Sequence, residues 1–222
     1  MPSTYLKPVV TLAALYGAGG TVVGPKVAER LGVPFVDRQI LDSVAARTGL
    51  PTEAVADIDE GPRIGVSRLI SMVGRASTLS GTPDGTVEPL DLQERRLRGY
   101  LEEGLAAAAT SGAVVLGRGG MVVLRDAPAA THVHLRGPRE ARVRQAMEIE
   151  GLNRDVAERR QRVEDQARIG YVRRAYGVDG EDPDLYHLIL DSTAVDFDTC
   201  ADLIVAASRA RIENLRPASV AE

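Results

Sequence analysis

The sequence predicts an α/β domain built on a parallel sheet, because short apolar segments alternate with helical patterns along its length. The segments of strand length are residues 9–13, 34–36, 113–116, 131–135 and 188–190, the second being the weakest. A glycine-rich segment follows the first of them directly. With 222 residues, 44% of them hydrophobic, the chain can bury one substantial core, so we expect one domain over residues 1–222.

Helical spacing of apolar side chains separates the predicted strands. One face of residues 37–47 carries Ile40, Leu41, Val44 and Ala45, and the next long helix carries Leu97, Leu101, Leu105 and Ala108. Residues 60–88 are rich in Gly, Ser, Thr and Pro and predict a surface loop. A long helix is predicted over residues 154–174, ending near Gly177, and it carries seven arginines: Arg154, Arg159, Arg160, Arg162, Arg168, Arg173 and Arg174. The tail, residues 216–222, is predicted to fray.

Composition argues against several partner classes. A formal net charge of −4 and a pI near 5.5 do not favour binding to nucleic acid or to an anionic membrane. The one cysteine, Cys200, lies in an apolar stretch and is predicted to be a buried, inert thiol. A single cysteine and the lack of a membrane-length apolar segment favour a cytoplasmic protein. The sequence does not indicate an oligomeric state.

The glycine-rich segment, residues 15–24, predicts a phosphate-binding loop. It joins the first predicted strand to a helix, so its amides and the helix N-terminus would point at an anion. Against the pattern GxxxxGK(S/T), Gly19 and Thr21 fit, whereas Ala14 replaces the first glycine and Gly20 replaces the lysine. Thr21 would still offer a hydroxyl to Mg²⁺.

The missing lysine leaves a charge to be supplied from elsewhere. Lys26 is the nearest cation in sequence, but it lies more than one helical turn beyond Thr21 and is predicted to point away. Pro25 would cost a helix an amide hydrogen bond, which suggests that the loop runs further than residue 21.

Two other interpretations of the glycine segment stay open. Asp37 lies 20 residues after Gly17, where a dinucleotide fold places its ribose-binding acid, but a GxGxxG pattern from Gly17 would need glycine at Val22. The other open interpretation is that the segment is a purely structural turn that binds no ligand.

Five segments in order resemble the cytidylate kinase-like family. They are residues 16–20, residues 31–38, residues 117–119, the set Asp165-Gln166-Ala167-Arg168 with Tyr171, Arg173 and Arg174, and residues 188–193. The resemblance spans nearly the whole chain. It implies a three-layer nucleotide-kinase fold of the P-loop NTPase type, with a five-stranded parallel sheet, helices on both faces and a helical lid over residues 153–180. It also implies an acceptor-nucleotide-binding segment over residues 37–90.

The resemblance further implies roles for single residues. Gly17, Ala18, Gly19, Gly20 and Thr21 would bind ATP, with Mg²⁺ at Thr21. Asp37, Arg38 and Arg118 would bind the acceptor, CMP or dCMP. Arginine suits such a site because its planar fork grips phosphate oxygens bidentately. The alternatives are a helix N-cap for Asp37 and a surface ion pair for Arg118.

The lid helix would supply the catalytic cations. Asp165, Arg168, Tyr171 and Arg174 follow at three-residue steps, which places them near one helix face. By resemblance Arg168, Arg173 and Arg174 would neutralise the transferring phosphoryl group, whereas Arg154, Arg159 and Arg160 are predicted to lie on a solvated face.

Charges common in the family are absent here. Ala14 and Leu15 stand where many members carry Arg-Glu, Thr21 stands where many carry arginine, and Gly119 replaces an aspartate. Two functions therefore remain: an ATP-dependent nucleoside monophosphate kinase, or a nucleotide-binding regulatory module derived from one. A zinc site is the weaker alternative, because His132, His134 and His187 alone would not complete it and buried strand histidines are expected.

Overall fold

The computed structural model describes residues 7–36 and 109–215, together with residues 98, 99, 102, 105 and 106. The predicted helix over residues 37–47, the predicted loop over residues 60–88 and the tail after residue 215 lie outside the described residues. Of the helix predicted around Leu97, Leu101, Leu105 and Ala108, only Leu105 is described, and it is helical and fully buried.

Five parallel strands form one sheet, which confirms the predicted parallel α/β fold. The strand order is β2-β3-β1-β4-β5, and every neighbouring pair is parallel. The strands are β1 (Val9–Ala14), β2 (Phe35–Val36), β3 (Ala113–Leu116), β4 (Ala130–Arg136) and β5 (Leu188–Asp191). β1 lies at the centre, so its carboxyl end, where the glycine loop begins, is surrounded by the ends of other strands.

Helices cover the sheet and make a three-layer domain. They are α1 (Gly20–Leu31), α2 (Gly120–Val123), α3 (Arg139–Glu150), α4 (Arg154–Tyr176) and α5 (Phe197–Asn214), with a single 3₁₀ turn at Pro183–Leu185. α4 confirms the long arginine-rich helix and ends at Gly177 as predicted. Within the described residues, no helix is long and apolar enough to cross a bilayer.

The main core lies between the sheet and the helix pair α1 and α5. Val10, Leu12 and Leu135 point from the strands towards Val23 of α1 and Ile204 of α5, and all five are at most 1% exposed. Burying aliphatic side chains of this size stabilises the fold by roughly 1.5–3 kcal/mol each. Cys200 joins this core and is fully buried, as predicted.

The opposite sheet face is more polar. Thr11, His132 and His134 are all at most 4% exposed there, which confirms the prediction of buried strand histidines. Thr11 Oγ1 lies 2.8 Å from His132 Nδ1, and the His187 ring stacks on His132 with a centroid distance of 4.8 Å.

Pro25 lies inside α1, and the expectation that the glycine loop runs further than residue 21 is wrong. The helix begins at Gly20. Pro25 is the sixth residue of this helix and has no amide hydrogen, so the helix lacks the hydrogen bond that residue 25 would donate to the Thr21 carbonyl. Gly24 before it is buried against β2, because a Cβ there would lie 2.4 Å from the Phe35 ring.

Candidate functional site

The glycine loop connects β1 to α1 through two left-handed residues. Gly17 has φ 76° and Gly19 has φ 73°, a region that side chains disfavour. Neighbours exclude side chains as well: a Cβ on Gly17 would lie 2.1 Å from the Arg142 carbonyl oxygen, and one on Gly19 would lie 2.2 Å from the Phe197 ring. Both glycines are therefore fixed by conformation and by close packing.

Side chains of α3, of α4 and of Ser192, which follows β5, bind three carbonyl oxygens of this loop and the carbonyl of Ala14, the last residue of β1. The donors are Arg142 Nη1 to Tyr16 O at 2.6 Å, Gln145 Nε2 to Gly17 O at 2.8 Å, Ser192 Oγ to Ala18 O at 2.8 Å and Arg168 Nη1 to Ala14 O at 2.7 Å. Each of these bonds fixes the direction of a peptide group. With the carbonyl oxygens engaged by the surrounding protein, the amides of the same loop can face the ligand side.

Four loop amides are available to a ligand. Within the described part of the chain, the amides of Gly17, Gly19, Gly20 and Thr21 donate to no protein acceptor. By contrast the Tyr16 amide donates to Asp165 Oδ1 at 2.8 Å, and the Ala18 amide donates to Leu15 O at 3.0 Å. Unsatisfied amides at a helix N-terminus form an anion-binding site, because the helix dipole adds to their partial charges.

The position of the usual lysine is closed to a side chain. A Cβ on Gly20 would lie 2.7 Å from Ala14 Cβ and 2.9 Å from Leu116 Cδ1. Leu116 can rotate away, but Ala14 Cβ is attached directly to the backbone of β1. The two departures from the phosphate-loop pattern, Ala14 and Gly20, are therefore in mutual contact.

A cavity of about 460 Å³ opens over this loop at the carboxyl ends of β1 and β3. Gly17, Gly19, Gly20 and Thr21 line it, and α4 forms the opposite wall. Ligands of open parallel sheets bind at this edge. The structure therefore brings the predicted loop and part of the predicted lid helix to one cavity.

Arg118 lies in this cavity and is held in a strained conformation. Its φ is 63°, between Gly117 at 77° and Gly119 at 66°, and it is 6% exposed. A left-handed arginine costs about 1 kcal/mol. The Arg118 carbonyl accepts a hydrogen bond from the Tyr176 hydroxyl at 3.3 Å, and a Cβ on Gly119 would meet the Tyr176 ring at 2.3 Å. Such burial is not that of a surface ion pair.

Arg168 also lines the cavity, next to the glycine loop. Besides its bond to Ala14 O, its Nη2 lies 2.9 Å from Glu164 Oε2. Glu164 also binds Arg160 Nη2 at 2.9 Å. Arg160 lines the cavity too, contacts Glu150 and lies over the Tyr16 ring at 5.3 Å. The Arg160 side chain is 47% exposed, which agrees with its predicted place on the solvated face, although it also borders the cavity.

The other predicted residues lie elsewhere. Arg173 and Arg174 are exposed near the end of α4 and are not among the residues lining this cavity; Arg173 lies 3.5 Å from Asp179. Their catalytic role stays a prediction. Lys26 binds Asp198 at 2.9 Å and points away from the cavity, as predicted. Asp37 and Arg38 lie outside the described residues.

A buried ion pair beneath the loop was missed by the sequence reasoning. Arg142 Nη1 lies 2.9 Å from Asp165 Oδ2, and the side chains are 6% and 13% exposed. Asp165 was singled out as a lid residue, but Arg142 was not, because one arginine in a charged helix gives no signal of its partner. Gln161 Nε2 completes the group by donating to Asp165 Oδ2 at 2.6 Å.

Beyond the loop, one wall of the cavity is formed by His134, Glu181 and Tyr186. Burial, with help from the charges of Arg136 and Arg142, lowers the pKa of His134 to about 4, so the ring is neutral at pH 7. Burial also raises the pKa of Glu181 above its usual range. The Tyr186 ring stacks on His134 with a centroid distance of 4.8 Å.

The described residues fit a magnesium nucleotide better than a metal held by protein alone. No group of three metal-ligating side chains occurs among them. Thr21 is an exposed residue in the first turn of α1 and borders the cavity. Mg²⁺ is commonly bound through one or two protein oxygens together with phosphates and water. The Thr21 hydroxyl can supply one such oxygen, and the free amides of the loop can hold the phosphates.

Comparison with known proteins agrees with this fold and shows the family. The cytidylate kinase-like family matches residues 9–194. A protein from Methanopyrus kandleri named cytidylate kinase is 25% identical over 212 residues, which is 94% of this chain and 97% of the relative.

Solved structures show the same fold at low identity. An uncharacterized protein from Eubacterium ventriosum has a TM-score of 0.64 at 18% identity, with 91% of this chain and 98% of that one covered. Shikimate kinase from Acinetobacter baumannii, in complex with shikimate, has a TM-score of 0.51 at 16% identity, with 96% and 97% covered.

Proposed function

Since the chain belongs to the cytidylate kinase-like family, we propose that it transfers the γ-phosphoryl group of Mg·ATP to a nucleoside monophosphate, CMP or dCMP. The family and the fold are those of phosphotransferases. The acceptor is proposed on the resemblance to the relative from Methanopyrus kandleri. Nucleotides are then the partners of this site, and the cytoplasm stays the predicted location.

The observation that carries this proposal is the state of the glycine loop. Four amides face no protein acceptor within the described residues, while four carbonyl oxygens are bound by side chains. Preorganised donors of this kind stabilise phosphate charge without reorganising during the reaction. The loop would hold the ATP phosphates through the amides of Gly17, Gly19, Gly20 and Thr21, whereas the amide of Ala18, which was also predicted to bind ATP, donates to Leu15 O.

Arginines would complete the charge balance. Arg168 lies at the loop and would neutralise the transferring phosphoryl group, and Arg173 and Arg174 would do so only if α4 moves closer. Arg118 would hold the acceptor phosphate, with Asp37 and Arg38 orienting the acceptor. Phosphoryl transfer needs little covalent chemistry from the protein, so positioning and charge neutralisation suffice.

Mg²⁺ would be held at Thr21 together with the nucleotide phosphates. When bound, the ion supplies Lewis-acid stabilisation of phosphoryl oxygens. The Thr21 hydroxyl orients this site, and the loop amides exclude water from the phosphates that they bind.

A coupled assay tests the proposal with CMP, dCMP, UMP, AMP and GMP as acceptors. We expect acceptor-dependent ADP release, highest with CMP or dCMP. Gly19→Ala should lower it at least tenfold, because the new methyl group meets Phe197 and strains the loop. Gly32→Ala is the matched control, since Gly32 also has a positive φ, 66°, but has open space around it. No ADP above background with any acceptor contradicts the proposal.

A second candidate, a nucleotide-binding regulatory module, is favoured by one set of contacts. Ala14 closes the lysine position, and Glu164 holds both Arg160 and Arg168. Calorimetry separates the two functions: tight binding of ATP or CMP without turnover favours the module, whereas binding with turnover favours the kinase.

A further inference from the structure

The cavity divides into regions of different charge. The loop amides, Arg118 and Arg168 make one region that attracts phosphate. His134, Glu181 and Tyr186, which we term the His134 wall, border the same cavity and carry no cation. A carboxylate repels phosphate, so an occupant of the His134 wall is an uncharged part of a ligand whose phosphate lies in the region that attracts it.

Within this wall, His134 offers one defined hydrogen-bonding group, Nε2, to the cavity. The ring is 2% exposed, and its Nδ1 is buried with no hydrogen-bond partner within the described residues. A proton on Nδ1 would therefore be a buried unsatisfied donor, which costs roughly 1–3 kcal/mol. Glu181 Oε1 lies on the Nε2 side, and its charge favours the tautomer with the proton on Nε2.

Nε2 and Glu181 are close but do not bond directly. The distance between Nε2 and Oε1 is 3.6 Å, longer than a normal hydrogen bond. The pair therefore offers a donor and an acceptor side by side. A hydroxyl group complements both, because it can accept from Nε2 and donate to the carboxylate at once.

The charges of neighbouring groups act on both members of the pair, and the two cations favour neutral His134 and ionised Glu181 while the two acids oppose ionisation of Glu181. Arg136 and Arg142 are the cations that act on both His134 and Glu181, and Asp165 and Asp179 are the acids that act on Glu181. Arg142 is neutralised by its ion pair with Asp165. The Tyr186 ring covers His134, and its hydroxyl donates to the Gly180 carbonyl at 2.6 Å, which fixes the wall beside Glu181.

We propose that His134 and Glu181 bind a sugar hydroxyl of the nucleoside monophosphate acceptor, with Glu181 accepting the hydroxyl hydrogen. This inference rests on the proposed function, since it assumes that the phosphate of the same ligand lies at Arg118. It makes the sugar of the acceptor, in addition to its base and phosphate, a determinant of specificity.

The test compares binding of CMP, dCMP and 2′,3′-dideoxy-CMP by calorimetry to the wild-type protein and to Glu181→Ala. A hydrogen bond to a charged group is worth about tenfold in affinity or more, so CMP should bind the wild type at least tenfold more tightly than the dideoxy analogue. In Glu181→Ala this ratio should fall to about one. Glu213→Ala, an exposed acid on α5, is the matched control and should keep the wild-type ratio.

Pyrophosphate binding and thermal unfolding report whether the variants are intact. Glu181→Ala should bind pyrophosphate within twofold of the wild type, because the loop is unchanged. An equal preference for CMP in wild type and Glu181→Ala overturns the inference, and so does a wild type that binds pyrophosphate but none of the three monophosphates. Failure to bind pyrophosphate as well overturns the proposed function along with it.

Discussion

At the scale of single residues, neighbouring atoms decide which side chains the glycine loop can hold. Gly20 replaces a lysine, and the reason is visible in Ala14, whose Cβ occupies the space that a Cβ on Gly20 needs. Two substitutions that look independent in sequence are one packing unit in the structure. Restoring the lysine therefore requires a change at both positions.

Gly20→Lys alone is expected to destabilise the protein without raising activity. The new Cβ would lie 2.7 Å from Ala14 Cβ, so the backbone of β1 or of the loop must shift. Overpacking of this kind costs about 1–3 kcal/mol. Ala14→Gly combined with Gly20→Lys removes the clash and should recover that loss, with phosphate affinity rising above the wild type.

Urea unfolding and pyrophosphate titration of the two variants measure these effects. Ala14→Gly by itself is the control for the flexibility that the extra glycine adds. If Gly20→Lys proves as stable as the double variant, the contact between the two positions is not the constraint inferred here.

At the scale of elements, α3 and α4 position the glycine loop. Arg142 of α3 binds the Tyr16 carbonyl and pairs with Asp165 of α4, whose other oxygen accepts from the Tyr16 amide. The amide and the carbonyl of Tyr16 are thus both bound by the buried Arg142–Asp165 ion pair. The loop conformation depends on these helices as much as on its own glycines.

Asp165→Asn is expected to lower the free energy of unfolding by about 3 kcal/mol, because removing one partner of a buried ion pair leaves the other charge uncompensated. Phosphate binding at the loop should weaken with it, since the Tyr16 amide loses a charged acceptor. Chemical denaturation and pyrophosphate calorimetry measure the two effects. Asp126→Asn breaks an exposed 3.9 Å contact with Arg125 and should change neither. Equal behaviour of the two variants would contradict the role of Asp165.

The elements that could be predicted from the sequence are those whose residue pattern lies within one short stretch of the chain. The five strands, α4 and the loop between β1 and α1 follow from apolar runs, arginine-rich helical spacing and glycines. The Arg142–Asp165 pair and the contacts of Arg160 with Glu150 and the Tyr16 ring do not, because they depend on how α3 and α4 pack on the loop. The contact of Ala14 with Gly20 likewise needs three-dimensional positions, although both residues stood out in sequence.

At the scale of the whole molecule, two sheet faces differ in how their stability responds to pH. The α1 and α5 face is mostly aliphatic, and its one described thiol, Cys200, has a pKa that burial raises above its usual range, so this face does not titrate at acidic pH. The other face buries His132 and His134, and burial is the main reason that the pKa of each is lowered to about 4. The fold therefore favours neutral imidazoles on that face.

Stability should fall as the pH drops from about 6.5 towards 4. An unfolded histidine has a pKa near 6.5, so in this window the unfolded chain binds protons that the folded chain does not, and the folded state loses about 1.4 kcal/mol per pH unit for each such residue. Urea unfolding at pH 7 and pH 5.5 measures the loss, in a range where most carboxylates remain ionised. His132→Phe should reduce the difference between the two pH values, since one buried histidine is gone, but should not abolish it, because burial also lowers the pKa of His134 and of His187. A wild type equally stable at both values would mean that these rings accept protons without unfolding.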